Sequence, residues 1–235
     1  MPSSLTFATP ANSASEQIAM EFKDAAQRWD KRYREADGFL FGEAPNGWLV
    51  TQSGWLDEHV ASIRAKGKIP ELLAVADGEG RNGVWLAKRG WQVQAFDASE
   101  VAMERARSFA RREAVELALT RADLQDWHWP ADRWDAIVAI FFQFASPALR
   151  DATIAGAINS LRPGGLLVIE GYGPRQMQFR TGGPGILEHM YTSSLLLDAF
   201  RHLDILAWRD ADTTIKEGSG HDGRSHLLSA VVRKP

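Results

Sequence analysis

Leu72-Leu73-Ala74-Val75-Ala76-Asp77-Gly78-Glu79-Gly80-Arg81-Asn82-Gly83 is the stretch on which the fold turns. Its opening apolar run reads as a strand buried on both faces of a sheet. The glycines at 78, 80 and 83 read as a tight turn, and a helix begins at Arg81. A second apolar run, Trp91–Phe96, leads to Asp97, twenty residues beyond Asp77. A strand, a glycine turn, a helix and a second strand closed by an acid form a unit that holds a nucleoside-containing cofactor beyond the strand C-termini.

Two cofactor classes compete for that unit. The spacing Gly78-x-Gly80-x-x-Gly83 matches the dinucleotide fingerprint, which points to an NAD-dependent enzyme. The charges point elsewhere. A dinucleotide lays its pyrophosphate on the turn amides and the helix N-terminus, and this turn carries Asp77 and Glu79, which would repel it. S-adenosylmethionine has no phosphate. Its sulfonium and α-ammonium are positive, and its carboxylate can be received by the turn amides. The turn therefore reads as a site for S-adenosylmethionine, with S-adenosylhomocysteine as product and NAD as the alternative.

The remaining composition narrows the class. The chain has 235 residues, 45% of them hydrophobic, and suits one α/β domain at 16–235 behind a flexible tail at 1–15. The tail is rich in Ser, Thr, Pro and Ala and lacks the basic start of a signal peptide, so a cytoplasmic location is expected. No apolar run is long enough to span a membrane. There is no cysteine, which excludes disulfides, thiolate nucleophiles and sulfur-ligated metals, and no metal site is expected. The net charge is −3, and Arg105, Arg107, Arg111 and Arg112 share their helix with Glu104, Glu113 and Glu116; this is a solvated helix face, not a nucleic-acid patch. The expected partner is a small-molecule substrate, and the expected state a monomer or homodimer.

Along the chain, helices are expected at Glu16–Glu35 and Trp48–Ala65, forming an N-terminal helical lid over about 16–67, with a loop at Phe39–Gly47 between them. Strands are expected at Glu71–Ala76, Trp91–Phe96, Leu117–Arg121, Trp134–Phe141 and Leu166–Glu170, alternating with helices at Arg81–Arg89, Ser99–Arg112 and Pro147–Leu161. Ser99 is placed as a helix N-cap, and Pro163-Gly164-Gly165 as a turn. After a short helix at Ser193–Phe200 come strands at His202–Asp210 and His226–Val232, joined by a polar loop, Thr213–Gly223, and so an antiparallel pair at the sheet edge. Five βα units followed by a hairpin predict a Rossmann-like three-layer sandwich with a seven-stranded mixed sheet, order 3-2-1-4-5-7-6, strand 7 antiparallel.

This pattern resembles the class I S-adenosylmethionine-dependent methyltransferases, and within them the small tellurite-resistance and thiopurine type. The likeness runs from about Trp29 to the C-terminus through Trp29-Asp30-Lys31-Arg32-Tyr33, Phe41-Gly42-x-x-Pro45-Asn46, Gly78-Glu79-Gly80-Arg81-Asn82, Leu86-Ala87-x-x-Gly90, Ala95-Phe96-Asp97-Ala98-Ser99, Leu161-Arg162-Pro163-Gly164-Gly165 and Glu217-Gly218-x-x-His221-x-Gly223. It implies methyl transfer to a small acceptor such as a thiol or an oxyanion of selenium or tellurium. In one place the chain departs from the family. The usual first strand ends Asp-Leu-Gly-Cys-Gly-x-Gly, and Ala74 here replaces the acid while Asp77 replaces a small residue. Asp77 is expected to assume part of the lost acid's role near the α-ammonium. The other reading of Ala74 is a protein that binds a ligand or a partner without turnover.

The resemblance also assigns roles. Asp97 would accept from the cofactor ribose hydroxyls, which a bidentate carboxylate suits, with Ala98 beside the adenine edge. Asp123 would accept from the adenine amino group and the Leu124 amide would reach a ring nitrogen; Trp127 or Trp129 either covers the adenine or packs. Gly78, Gly80 and Asn82 belong to the turn, and Arg32 on the first helix would pair with the cofactor carboxylate. Phe141, Gln143 and Phe144 end the fourth strand, beneath the methyl group, and Arg180 and His189 fall in the insertion where acceptor-binding elements usually sit. A soft anionic acceptor needs only alignment and exclusion of water. A neutral hydroxyl or amine would need a base, for which His221, with Glu217 and Gln143, is the candidate.

Overall fold

A computed structural model describes residues 26–235. The tail expected at 1–15 and the start of the first helix lie outside the described residues. Seven strands form one sheet: β1 Glu71–Val75, β2 Gln92–Asp97, β3 Leu117–Arg121, β4 Trp134–Ile140, β5 Leu161–Tyr172, β6 Asp204–Glu217 and β7 His221–Arg233. Their order is β3-β2-β1-β4-β5-β7-β6. The first five are parallel, and β7 runs antiparallel to both β5 and β6. The expected fold class is the one observed.

Alternation along the strands feeds two cores. Leu73, Val75, Ile137, Ala139 and Ile169 face Ile154 and Ala157 of α6 (Pro147–Ser160) and Leu196 of α8 (Ser193–Ala199). Leu72, Ala74, Val93, Ala136 and Val138 face Leu56, Val60 and Ile63 of α3 (Ser53–Ala65) and Leu86 of α4 (Arg81–Lys88). A strand covered on both faces needs no polar side, which is why β4 is buried along its whole length. Ser99 caps α5 (Glu100–Arg112), its side chain accepting from Ala102 N at 3.1 Å.

Three elements differ from expectation. The helix expected over Trp48–Ala65 breaks at Gln52 into α2 (Gly47–Thr51) and α3, and Asn46 caps the first piece, accepting from Leu49 N at 3.0 Å. The turn expected at Pro163-Gly164-Gly165 lies within β5, where the β4–β5 register shifts between Trp134 and Ala136. The polar loop expected at Thr213–Gly223 is mostly sheet: the β6–β7 ladder runs out to Glu217 opposite His221 and turns through Gly218, Ser219 and Gly220. Ladder pairing outweighs the poor strand propensity of that polar sequence. Residues 26–35 are helical (α1) and cross the C-terminal edge of the sheet, where Asp30 accepts from Ser99 Oγ and from Val101 N at 3.2 Å. Short helices α7 (Gln176–Phe179) and a 3₁₀ turn at Leu187–His189 follow β5.

Candidate active site

The site is a cleft beyond the C-terminal ends of β1, β2 and β4, roofed by α1 and the loop through Phe41, with Tyr172 and His221 at its far end. Asp77, Gly78, Asn82, Asp97, Ala98, Asp123, Leu124, Arg32, Phe141, Gln143, Phe144 and His221 all line it. Gly80 and Glu217 do not; their roles are described below.

The glycine turn is built by a backbone that takes left-handed conformations in close succession. Ala76 has φ 47°, Gly78 58° and Gly80 86°. Ala76 stands where the family pattern has glycine, and its conformation costs about 1–2 kcal/mol for a residue with a Cβ. Gly80 is a packing residue, because a Cβ there would lie 2.9 Å from that of Ala106, where α4 and α5 approach. Gly78 carries the Tyr33 hydroxyl, 2.6 Å from where a Cβ would stand, so α1 sits directly on the turn.

The carboxylates divide into two sets. Asp97 is buried, with Oδ2 accepting from Gly78 N at 3.0 Å and Oδ1 from Ser99 N at 2.8 Å. Burial pushes its carboxyl up to about 6, against the lowering effect of those bonds. Asp123 accepts from Gln125 N at 3.1 Å and is also raised by burial. Asp77 turns back on α4, where Oδ2 accepts from Gly83 N at 3.0 Å; burial first, and Asp97 beside it, push its carboxyl up to about 7. Glu79 belongs elsewhere. It leaves the cleft to accept from Leu40 N at 2.8 Å and to pair with Arg105 at 2.7 Å, so only Asp77 of the two turn acids lines the cleft.

At the other end, Glu217 is not a candidate base. It pairs with Arg81 at 2.7 Å and accepts from Gly47 N at 2.9 Å, tying the hairpin to α4 and α2. Buried Glu170 joins the same network through Arg209, Ser229 Oγ at 2.7 Å and Asn46 Nδ2 at 2.7 Å. Gln143 is spent on the backbone: its amide accepts from Tyr172 N at 2.6 Å and donates to Tyr172 O at 2.7 Å. His189 contacts the Gln143 carbonyl at 3.1 Å and Arg180 is not in the cleft wall. Trp127 and Trp129 are packing residues. The first stacks on Phe96 at 4.0 Å and the second fills the space over Gly156.

His221 is buried rather than set in a solvated loop. Phe41 stacks on one ring face at 4.6 Å and Phe141 on the other at 4.3 Å, and the Tyr172 hydroxyl meets Nδ1 at 2.5 Å. Burial, then the charges of Arg81 and Arg32, push the imidazole down to about 3. Phe41, Tyr172, Arg81 and Glu170 had no legible role in the sequence. Only the family-like Phe41-Gly42 and Gly80-Arg81-Asn82 hinted at two of them.

Residues 72–165 match a family described as "Methyltransferase domain". The matched stretch runs from β1 into β5, so the core of the chain is similar to a methyltransferase domain. No curated protein matches the chain by sequence. Among solved structures, NodS, an N-methyltransferase from Bradyrhizobium japonicum WM9 in complex with S-adenosyl-L-homocysteine, is 15% identical over 89% of this chain and 98% of its own, with a TM-score of 0.64. A structure described as the conversion of a disulfide bond into a thioacetal group during echinomycin biosynthesis is 18% identical over 89% and 91%, TM-score 0.65. TehB from Haemophilus influenzae is 17% identical over 76% of this chain, which spans 62% of TehB, TM-score 0.59. At these identities the likeness establishes the methyltransferase fold.

Proposed function

We propose that the protein transfers the methyl group of S-adenosylmethionine to a small-molecule acceptor. One observation carries the reading: Asp77, Asp97 and Asp123 line a single cleft over the glycine turn, with the carboxyls of all three raised. Such a cleft stabilises a cation and repels a pyrophosphate, so the residues fit S-adenosylmethionine and disfavour NAD despite the glycine spacing. S-adenosylmethionine, when bound, supplies an activated methyl group on a sulfonium. Solved structures that share the fold include a complex of NodS with S-adenosyl-L-homocysteine and one of magnesium protoporphyrin IX methyltransferase from Synechocystis with bound SAM.

In this reading Asp97 receives the ribose hydroxyls on lone pairs that Gly78 N and Ser99 N leave free. Asp123 and the Leu124 amide face the adenine, and Arg32, which has no ion-pair partner among the described residues, receives the cofactor carboxylate. Asp77 lies at the ammonium end. Trp29, Phe41 and Phe144 contribute apolar walls that exclude water, Trp29 meeting Phe144 edge-on at 5.6 Å. α1 and the loop after it act as a lid, fastened by Asp30 and Glu79. A thiol or a selenium or tellurium oxyanion suits this water-poor aromatic end. Among the described residues no helix is long and apolar enough to cross a membrane, and we take the protein to act in the cytoplasm as a monomer or homodimer.

Calorimetric titration with S-adenosylmethionine, S-adenosylhomocysteine and NAD tests the reading. Binding of the first two and not the third is expected; binding of NAD alone refutes it. Incubation with labelled S-adenosylmethionine and a panel of thiols, selenite and tellurite then separates turnover from binding alone.

A further inference from the structure

The last cleft residue whose chemistry is still open is His221, and its hydrogen bonds decide it. The ring is clamped by Phe41 and Phe141 on its two faces. Gly220 makes room for the clamp, since a Cβ there would come within 2.3 Å of Phe41. One edge is closed by the Tyr172 hydroxyl at Nδ1, and the remaining edge, with Nε2, faces the cleft. Nε2 has no hydrogen-bond partner among the described residues.

The proton between Tyr172 and His221 can be assigned by counting partners. Tyr172 is buried, and His221 Nδ1 is the only acceptor its hydroxyl meets among the described residues. If Nδ1 carried the proton and donated it, the phenolic O–H would be left buried and unsatisfied, a loss of the kind folded proteins avoid. The hydroxyl therefore donates, Nδ1 accepts, and in a neutral ring the proton sits on Nε2. The charges of Arg81 and Arg32 both oppose the imidazolium, and Glu217, opposite His221 in the ladder, is paired with Arg81.

We propose that His221, held by Tyr172 in the Nε2–H form, is a neutral hydrogen-bond donor to the methyl acceptor and not its base, so that the acceptor is a group that reacts without giving up a proton, here an anion. The inference rests on the methyltransferase reading and narrows its substrate class. The acceptor anion forms a bond to the methyl carbon as the sulfur–carbon bond breaks. The electron pair stays on sulfur, the negative and positive charges cancel, and no proton has to leave. A thiolate or a chalcogen oxyanion meets these terms; an alcohol or a protonated amine does not.

Nitrogen-15 NMR of the histidine rings in the S-adenosylhomocysteine complex provides the test, with His221→Gln assigning the signal. Wild-type protein is expected to show a protonated Nε2 and a bare Nδ1 at neutral pH, and Tyr172→Phe to release part of the population into the other form. Thiophenolate added to the complex is expected to shift the Nε2 proton. A protonated Nδ1, an imidazolium at neutral pH, or an Nε2 proton indifferent to thiophenolate overturns the proposal. Failure of the methyltransferase reading shows separately, as absence of calorimetric binding of S-adenosylhomocysteine by the wild type, with the ring's protonation in the free protein still readable.

Discussion

Asp77→Asn tests the electrostatics of the cleft with almost no change of shape. The carboxylate is half-buried against Gly83, from whose amide it accepts a hydrogen bond at 3.0 Å, and desolvation with Asp97 nearby lifts its carboxyl from 3.8 to about 7. A carboxyl whose folded value lies above its unfolded one favours the fold while protonated. That contribution is complete below the unfolded value and is lost as pH rises through the folded one, here between about 4 and 7. At 1.36 kcal/mol per unit, the ionised group costs the empty protein up to about 4 kcal/mol above pH 7. An asparagine keeps the bond to Gly83 N through its carbonyl oxygen but gives up its charge assistance, worth about 1 kcal/mol. The variant is therefore expected to be more stable than wild type at pH 8 by about 2–3 kcal/mol and to lose the advantage by about pH 4. Urea unfolding at the two pH values measures this. A variant less stable than wild type at pH 8, or a difference indifferent to pH, refutes the reasoning. The same protein should bind S-adenosylmethionine and S-adenosylhomocysteine more weakly, since both carry the α-ammonium. Loss for S-adenosylmethionine alone would move the carboxylate's effect to the sulfonium, and no loss would confine Asp77 to the helix.

Other outcomes follow from single contacts. Asp97→Ala should weaken S-adenosylhomocysteine binding by about ten- to a hundredfold in calorimetry, roughly 1.5–3 kcal/mol; a folded variant with wild-type affinity would remove Asp97 from the ribose. Glu170→Ala leaves Arg209 without its buried partner and should cost about 3 kcal/mol in urea unfolding; a loss under about 1 kcal/mol would show that the network around Asn46 is dispensable. Gly80→Ala puts a methyl 2.9 Å from Ala106 Cβ at φ 86° and should cost about 2–4 kcal/mol, read as a lower thermal midpoint; an unchanged midpoint would mean that α4 and α5 part without cost.

What the sequence determined is what short-range chemistry and periodicity determine. Apolar runs bounded by glycine and proline marked the sheet, and the lack of a helical segment between the last strands placed β7 antiparallel, because parallel neighbours need a crossover. Asp97 and the glycine turn were legible because a strand end and the turn beside it stay close in space whatever the rest of the chain does. Tertiary structure alone decided which way the polar side chains faced. Glu79 and Glu217, charged and near the motif, were drawn from the cleft by Arg105 and Arg81, which are distant in sequence or across the sheet. Gln143 was taken by the backbone of Tyr172, and His221, read as a loop residue, was lifted into a buried clamp when ladder pairing carried β6 and β7 beyond their apolar segments. A side chain's partner is set by long-range packing, and one sequence position does not encode which of several opposite charges will arrive beside it.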